Sequence, residues 1–267
     1  VQINQIHSTA NSLVKKARAL ASGASANLPD LFLIEGRKLI EEAYLKNVPI
    51  VAVIASRSFL EAGKLPHLDQ LNELNIVNDE NFKHLHSTTS SCGIVALAKK
   101  QEYNLDAFLL NQSKQSLVLL ERIQDPGNLG TMIRTAQAFN TGAIILSKGT
   151  VDHFSPKVVR ASMGAVFNFP IISDQDIEAC LVKLKSAAID IIALDGKVDR
   201  PFWLEKFPQS TAYLFGNEGS GLSSLALSQA DKIVNIPLSS QTESLNVAVA
   251  MGIVLCHANN AKIQLSK

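Results

Sequence analysis

Three polar stretches hold the residue types that could do chemistry. The first, "ERIQDPGNLGTMIRTAQAFN" (121–140), follows an apolar run and carries one arginine, Arg134, in a helical pattern. The second, "LFGNEGSGL" (214–222), sets Asn217 and Glu218 among Gly216, Gly219 and Gly221. The third, "NIPLSSQTESLNVAVAMGIVL" (235–255), brings Ser244 and Asn246 to the start of an apolar helix. A guanidinium offers a fixed fork of donors to a phosphate or a developing oxyanion and is a poor proton acceptor. A glutamate between glycines presents a carboxylate on a backbone that can bend sharply. The glycine spacing is neither G-x-G-x-x-G nor G-x-x-x-x-G-K-[ST], so no dinucleotide fingerprint or P-loop is present.

Each stretch also has a plain structural reading. Pro126 and Gly127 break a strand and Asn128 can cap the next helix. Leu129, Met132, Ile133, Ala136 and Phe139 make that helix's apolar stripe, with Arg134 off it. A glycine-rich turn is often only a tight connection. Ser240 and Glu243 have capping-box spacing, although the helix could begin nearer Ser244. From 247 to 255 it is apolar nearly all round, which predicts full burial.

The elements that must position these residues alternate. Apolar runs predict strands at 117–122, 143–147, 189–194, 211–215 and 233–237, with helices near 128–140, 155–165, 176–187 and 243–262. Such alternation with nearly continuous apolar strands predicts an α/β domain on a mostly parallel sheet, and in open parallel sheets ligands sit outside the carboxyl ends of the strands. All three stretches follow strands in that way. The earlier part reads as a smaller α/β unit, with a helix at 12–20, strands at 31–34, 50–56 and 93–99, and a boundary near 100–115.

Composition excludes several classes. Net charge is +1 over 267 residues, so no global basic field exists, though 111–170 holds six basic and three acidic side chains, compatible with an anionic substrate. Cys92, Cys180 and Cys256 are odd in number, widely spaced and outside any C-x-x-C pattern, which argues against disulfides and zinc and for a reducing cytoplasm. No signal-peptide pattern opens the chain, and no apolar run reaches the ~20 residues of a membrane span. His84 and His86 could share a strand face, but no third metal ligand is near, so no metal is expected; His153, close to Lys157 and Arg160, reads as a loop histidine.

Taken in order, N-x-G-x-x-x-R (Asn128, Gly130, Arg134), G-N-E-G-x-G (216–221) and I-P-x(6)-S-L-N-V (236–247) resemble the SpoU (TrmH-like) family of RNA ribose 2'-O-methyltransferases, of the SPOUT class. The likeness covers roughly 115–262. Residues 32–43 and 87–98 are similar to that family's L30e-like accessory domain, with Ser91 and Cys92 in place of the Pro-Gln pair common before Gly-Ile-Val. The resemblance implies an L30e-like substrate-binding domain at 1–107 and a methyltransferase domain at 108–267 whose C-terminal part is tied in a trefoil knot. It implies S-adenosylmethionine as cofactor, held by Gly216, Asn217, Gly221, Ile236, Leu238, Leu245 and Asn246. It implies catalysis by Arg134 with Asn128, Glu218, Ser244 and Asn246, with Glu218 the one carboxylate that could relay a proton. It also implies a cytoplasmic homodimer joined through the methyltransferase domain, acting on RNA, with 23S ribosomal RNA favoured over transfer RNA. A non-catalytic RNA-binding protein with a decayed knot domain is the alternative from another class.

Overall fold

The computed structural model describes residues 2–24, 28–63, 73–88, 92–111, 115–206 and 208–265, the last five without side chains. Ser91 lies outside them. The chain divides into two compact units, 1–101 with 152–168, and 102–151 with 169–267.

The first unit runs β1 (Gln2–Ile6), α1 (Ser12–Ala21), β2 (Leu31–Glu35), α2 (Arg37–Leu45), β3 (Ile50–Ser56), α3 (Arg57–Glu61), β4 (Glu73–Val77), α4 (Asp79–Phe82) and β5 (Ile94–Lys99). Its sheet has the order β1-β4-β3-β5-β2, mixed in direction, with β2 and β3 antiparallel to β5. Asn11 caps α1 by accepting from the Leu13 N–H at 2.8 Å, and Val14, Ala17 and Leu20 bury that helix's inner face. Strands β1 and β4 escape the sequence reading. The first is largely polar, and the second carries Asn75 at its centre, so neither alternates cleanly. They form because parallel pairing matches them from Gln2↔Glu73 to Ile6↔Val77, and because the Asn75 amide donates to the Val53 carbonyl at 3.2 Å.

The second unit begins with α5 (Leu105–Leu110), β6 (Ser116–Leu120), α6 (Pro126–Ala138) and β7 (Ala143–Ser147). The chain then returns to the first unit for α7 (Pro156–Ala161) and a 3-10 turn (Ala165–Phe167), where a single helix over 155–165 was expected. Gly164, at φ 84°, opens the 3-10 turn, and a Cβ there would come within 2.7 Å of Glu42 Cγ. The second unit resumes with β8 (Ile171–Gln175), α8 (Ile177–Ser186), β9 (Asp190–Leu194), β10 (Thr211–Phe215), α9 (Ser224–Gln229), β11 (Lys232–Val234) and α10 (Val247–Leu265). All six strands are parallel, in the order β11-β9-β10-β6-β7-β8. One buried core joins Leu117, Leu119, Ile145, Ile191 and Leu214 to Leu181 and Leu184 of α8. Helix α10 packs along α6. The expected all-round burial of α10 does not hold: Met251, Val254 and Leu255 are buried, but Val249 and Ile253 are 52% and 39% exposed. No helix of the described residues is long and apolar enough to cross a membrane.

The inserted segment 152–168 places two polar side chains unexpectedly. Arg160 is not a free surface cation. It pairs with the buried carboxylate of Glu35, which also accepts from the Ser87 N–H at 2.6 Å and hydroxyl at 3.2 Å. His153 is buried, its ring 4.2 Å from that of Phe154. Burial lowers its pKa to about 4, against the opposing pull of Asp152 and with the help of Lys100. The imidazole is therefore neutral at pH 7. With the folded value below the unfolded one, stability is full above about pH 6.5 and falls as pH drops toward 4, by ~3 kcal/mol. Denaturation midpoints measured from pH 7 to 4 will show this loss in the wild-type protein and a flatter profile for His153→Gln.

Candidate active site

A parallel sheet gathers all its carboxyl ends on one edge. From β6 the chain passes to β7 and β8 on one side, while β10, β9 and β11 lie on the other, so strand order reverses between β6 and β10. Crevices at such switch points are where open α/β sheets bind ligands. Loops 121–125 and 216–223 leave the sheet there, beside 195–201 and 235–246.

The loop after β10 is built around its own glycines and Asn217. A Cβ on Gly216 would lie 2.2 Å from the Gly221 carbonyl carbon, so only glycine lets the loop close. It closes through reciprocal backbone bonds between Asn217 and Gly221, at 3.1 and 2.9 Å. The Asn217 side-chain Oδ1 accepts from the N–H groups of Gly219 (3.0 Å) and Ser220 (2.9 Å), while its side-chain amide donates to the Arg122 carbonyl at 2.8 Å. Asn217 thus shapes its own loop and ties it to the one after β6.

Glu218 makes the stronger tie. Its Oε1 accepts from the Asp125 N–H (3.0 Å) and the Asn128 amide (3.1 Å), and its Oε2 from the Gln124 N–H at 3.1 Å. Partial burial raises its pKa, but the hydrogen bonds from Asn128, Asp125 and Gln124 outweigh this and hold it below the ordinary glutamate value. An ionised carboxylate with both oxygens engaged is a staple rather than a proton carrier. Asn128 extends the chain of contacts, its side-chain oxygen accepting from the Asn246 amide at 2.8 Å. Asn246 in turn caps α10, its own oxygen accepting from the Ala248 and Val249 N–H groups at 2.9 and 3.3 Å.

Two capping expectations change accordingly. Asp125, not Asn128, caps α6 by accepting from the Asn128 N–H at 2.8 Å, with Pro126 opening the helix. Asn246, not Ser240, caps α10. The first shift leaves the Asn128 side chain to face across the site.

Of the residues singled out, the structure brings together Asn128, Asn217, Glu218 and Asn246 around Gly216 and Gly221. Arg134 stands exposed on α6, off the buried stripe, and makes no hydrogen bond or ion pair among the described residues. Ser244 is also exposed and unbonded among them, on the same loop as Ile236, Leu238 and Leu245. The backbone N–H groups of Gly216, Ile236, Leu238 and Leu245 donate to nothing among the described residues. These open donors, flanked by three apolar side chains, suit a ligand gripped by main-chain atoms. No cluster of three or more potential metal ligands occurs among the described residues.

Sequence reasoning missed Asp125, Gln124 and the loop after β9. The Asp195 N–H donates to the Val234 carbonyl at 3.0 Å, and Asn235 exchanges hydrogen bonds with Arg200, which fixes that loop between its neighbours. Only strand order reveals its place.

The SpoU rRNA Methylase family model matches residues 115–256. The chain is 31% identical to the 23S rRNA (guanosine(2553)-2'-O)-methyltransferase RlmP of Bacillus subtilis, covering 96% of this chain and 99% of that protein. It is similar to the AdoMet-bound rRNA methyltransferase of Sinorhizobium meliloti, with a TM-score of 0.81, 28% identity, and coverage of 98% and 99%. It shares the fold of the SpoU methyltransferase AviRb from Streptomyces viridochromogenes, with a TM-score of 0.83, 24% identity, and coverage of 95% and 98%.

Replacing Glu218 by Ala leaves the donors of Gln124, Asp125 and Asn128 without their acceptor. The site is open to water, so the cost is ~1 kcal/mol, a fall of roughly 2–4 °C in melting temperature. Amide exchange at Gln124 and Asp125 will accelerate; unchanged exchange would exclude the staple.

Proposed function

The chain belongs to the SpoU rRNA methylase family, and we propose that it transfers the methyl group of S-adenosylmethionine to a ribose 2'-hydroxyl of 23S ribosomal RNA in the cytoplasm. The observation that carries this reading is the switch-point crevice, where Glu218, Asn128 and Asn246 lock three loops around unpaired main-chain donors. The activity is that of an RNA (ribose-2'-O-)-methyltransferase. When bound, the cofactor supplies an electrophilic methyl on a sulfonium whose departure as a neutral thioether requires no metal.

The main-chain donors of Gly216, Ile236, Leu238 and Leu245 would hold the cofactor, with Asn217 and Gly221 fixing the bend of their loop. Arg134 holds the ribose or its phosphate and stabilises the alkoxide that develops as the hydroxyl gives up its proton to solvent water at this open site. Its exposed, unpaired guanidinium supports this role. Asn128, Glu218 and Asn246 are positioning residues in this reading: they fix α6, which carries Arg134, against the loops that hold the cofactor. Ser244, exposed on the loop leading into α10, faces the ribose. Arg134→Ala should lower turnover by ~10²–10³ with cofactor affinity retained.

The first unit, residues 1–101 with segment 152–168, serves as an L30e-like RNA-binding module, and 102–151 with 169–267 carries the chemistry. The C-terminal chain forms a trefoil knot. Its course from edge strand β11 back to α6 supports that reading. A homodimer joins through α10, whose Val249 and Ile253 lie one turn apart on an exposed face. Trp203, 46% exposed, lies nearby, for the Phe202 ring sits 5.2 Å from both Trp203 and His257 of that helix.

Two measurements test these readings. Methyl transfer from labelled S-adenosylmethionine to total RNA, fractionated afterwards, should place label on a 2'-oxygen of the large ribosomal RNA; label on bases or on transfer RNA alone would overturn the assignment. Sedimentation should show a dimer that Ile253→Glu converts to a monomer.

A further inference from the structure

Six non-glycine residues adopt positive φ among the described residues. Asn47, Asn140, Met163 and Ala188 each directly follow a helix C-cap, where a left-handed residue is expected, and Asp174 lies in the irregular end of β8 and is of a type that tolerates it. Arg122, at φ 54°, has neither explanation. It is a long side chain at the first turn out of β6, in the switch-point crevice, where glycine would be less strained.

The surroundings hold that conformation in place. The Arg122 N–H donates to Ser147 Oγ at 3.0 Å, and its carbonyl accepts from the side-chain amides of Gln124 (3.1 Å) and Asn217 (2.8 Å). Its stem runs beside Gly149, with Cγ 3.7 Å from where a Cβ would stand. The side chain is 48% exposed and makes no hydrogen bond among the described residues. Its nearest charge, Glu121 Oε1, is 3.8 Å away, and the other oxygen of that buried carboxylate accepts from the Ser223 N–H at 2.9 Å. Lys148, exposed, is the next cation along this edge. These hydrogen bonds thus hold a strained backbone beneath a half-exposed guanidinium whose nearest carboxylate is the 3.8 Å contact with Glu121.

We propose that Arg122 is a substrate-binding residue that grips a backbone phosphate of the RNA next to the methylated ribose. This rests on the RNA methyltransferase reading and adds a contact distinct from Arg134. A planar fork of donors suits a phosphate, and sequence-independent contacts of this kind set the register of the strand while bases confer selectivity.

Left-handed backbone makes the test clean, because glycine and asparagine accept it without the charge. With deproteinised 23S rRNA and labelled S-adenosylmethionine, Arg122→Gly and Arg122→Asn should raise KM for RNA roughly fivefold and flatten its dependence on log salt by about one. The melting temperature should not fall, KM for the cofactor should hold, and Arg122→Lys should restore much of the RNA affinity and the salt slope. Wild-type KM and salt slope in the Gly and Asn variants, or a loss confined to kcat with a lowered melting temperature, would overturn the proposal. If the wild-type protein itself labels no RNA, the methyltransferase reading fails instead.

Discussion

The carboxylate of Glu218 is the interaction on which the arrangement of the site rests. Two loops leave adjacent strands at the point where strand order reverses, and nothing in sheet geometry alone fixes their separation. Three hydrogen bonds from Gln124, Asp125 and Asn128 converge on this side chain and close the gap. Through Asn128 the tie continues to Asn246, and so to the cap of α10. Three segments distant in sequence therefore share one rigid polar chain. Because the carboxylate is held ionised, its stabilising effect persists above the ordinary glutamate range and fades only as pH falls below it. The residue accordingly fixes the geometry of the loops around it.

A second polar contact plays a comparable part in the first unit. Glu35 ends β2 as a buried carboxylate satisfied by Ser87 and Arg160. Such a pair adds little net stability over apolar packing, but losing one member costs about 3–5 kcal/mol because a charge is stranded. It specifies where segment 152–168 must lie, alongside the contacts of Phe154 and Phe167 with Phe32.

Much of this was legible in the sequence. Strands β6, β7, β9 and β10 announce themselves as unbroken apolar runs, since a parallel strand buried on both faces leaves no room for alternation. The residues of the polar chain stand out because glycine and asparagine sit where strands end. What could not be read is set by partners far along the chain. β1 and β4 exist through pairing with each other, and β8 is a short edge strand whose polar end lies outside the core. The caps were misplaced by a few residues because several adjacent side chains could each have served. The exposed stripe of α10 was hidden because composition alone does not tell a buried apolar helix from one with an uncovered face.

The discontinuity of the first unit has a consequence for synthesis. Its last segment, 152–168, is made after α5, β6, α6 and β7, all of which belong to the other unit. At ~5–20 residues per second, about 3–13 s separate the emergence of residue 101 from that of residue 168. Throughout that interval the nascent chain carries Glu35 without its arginine and Phe32 without its aromatic cover. The N-terminal module is thus born incomplete, and an exchange of residues 1–101 between relatives succeeds only when the distant segment changes with it.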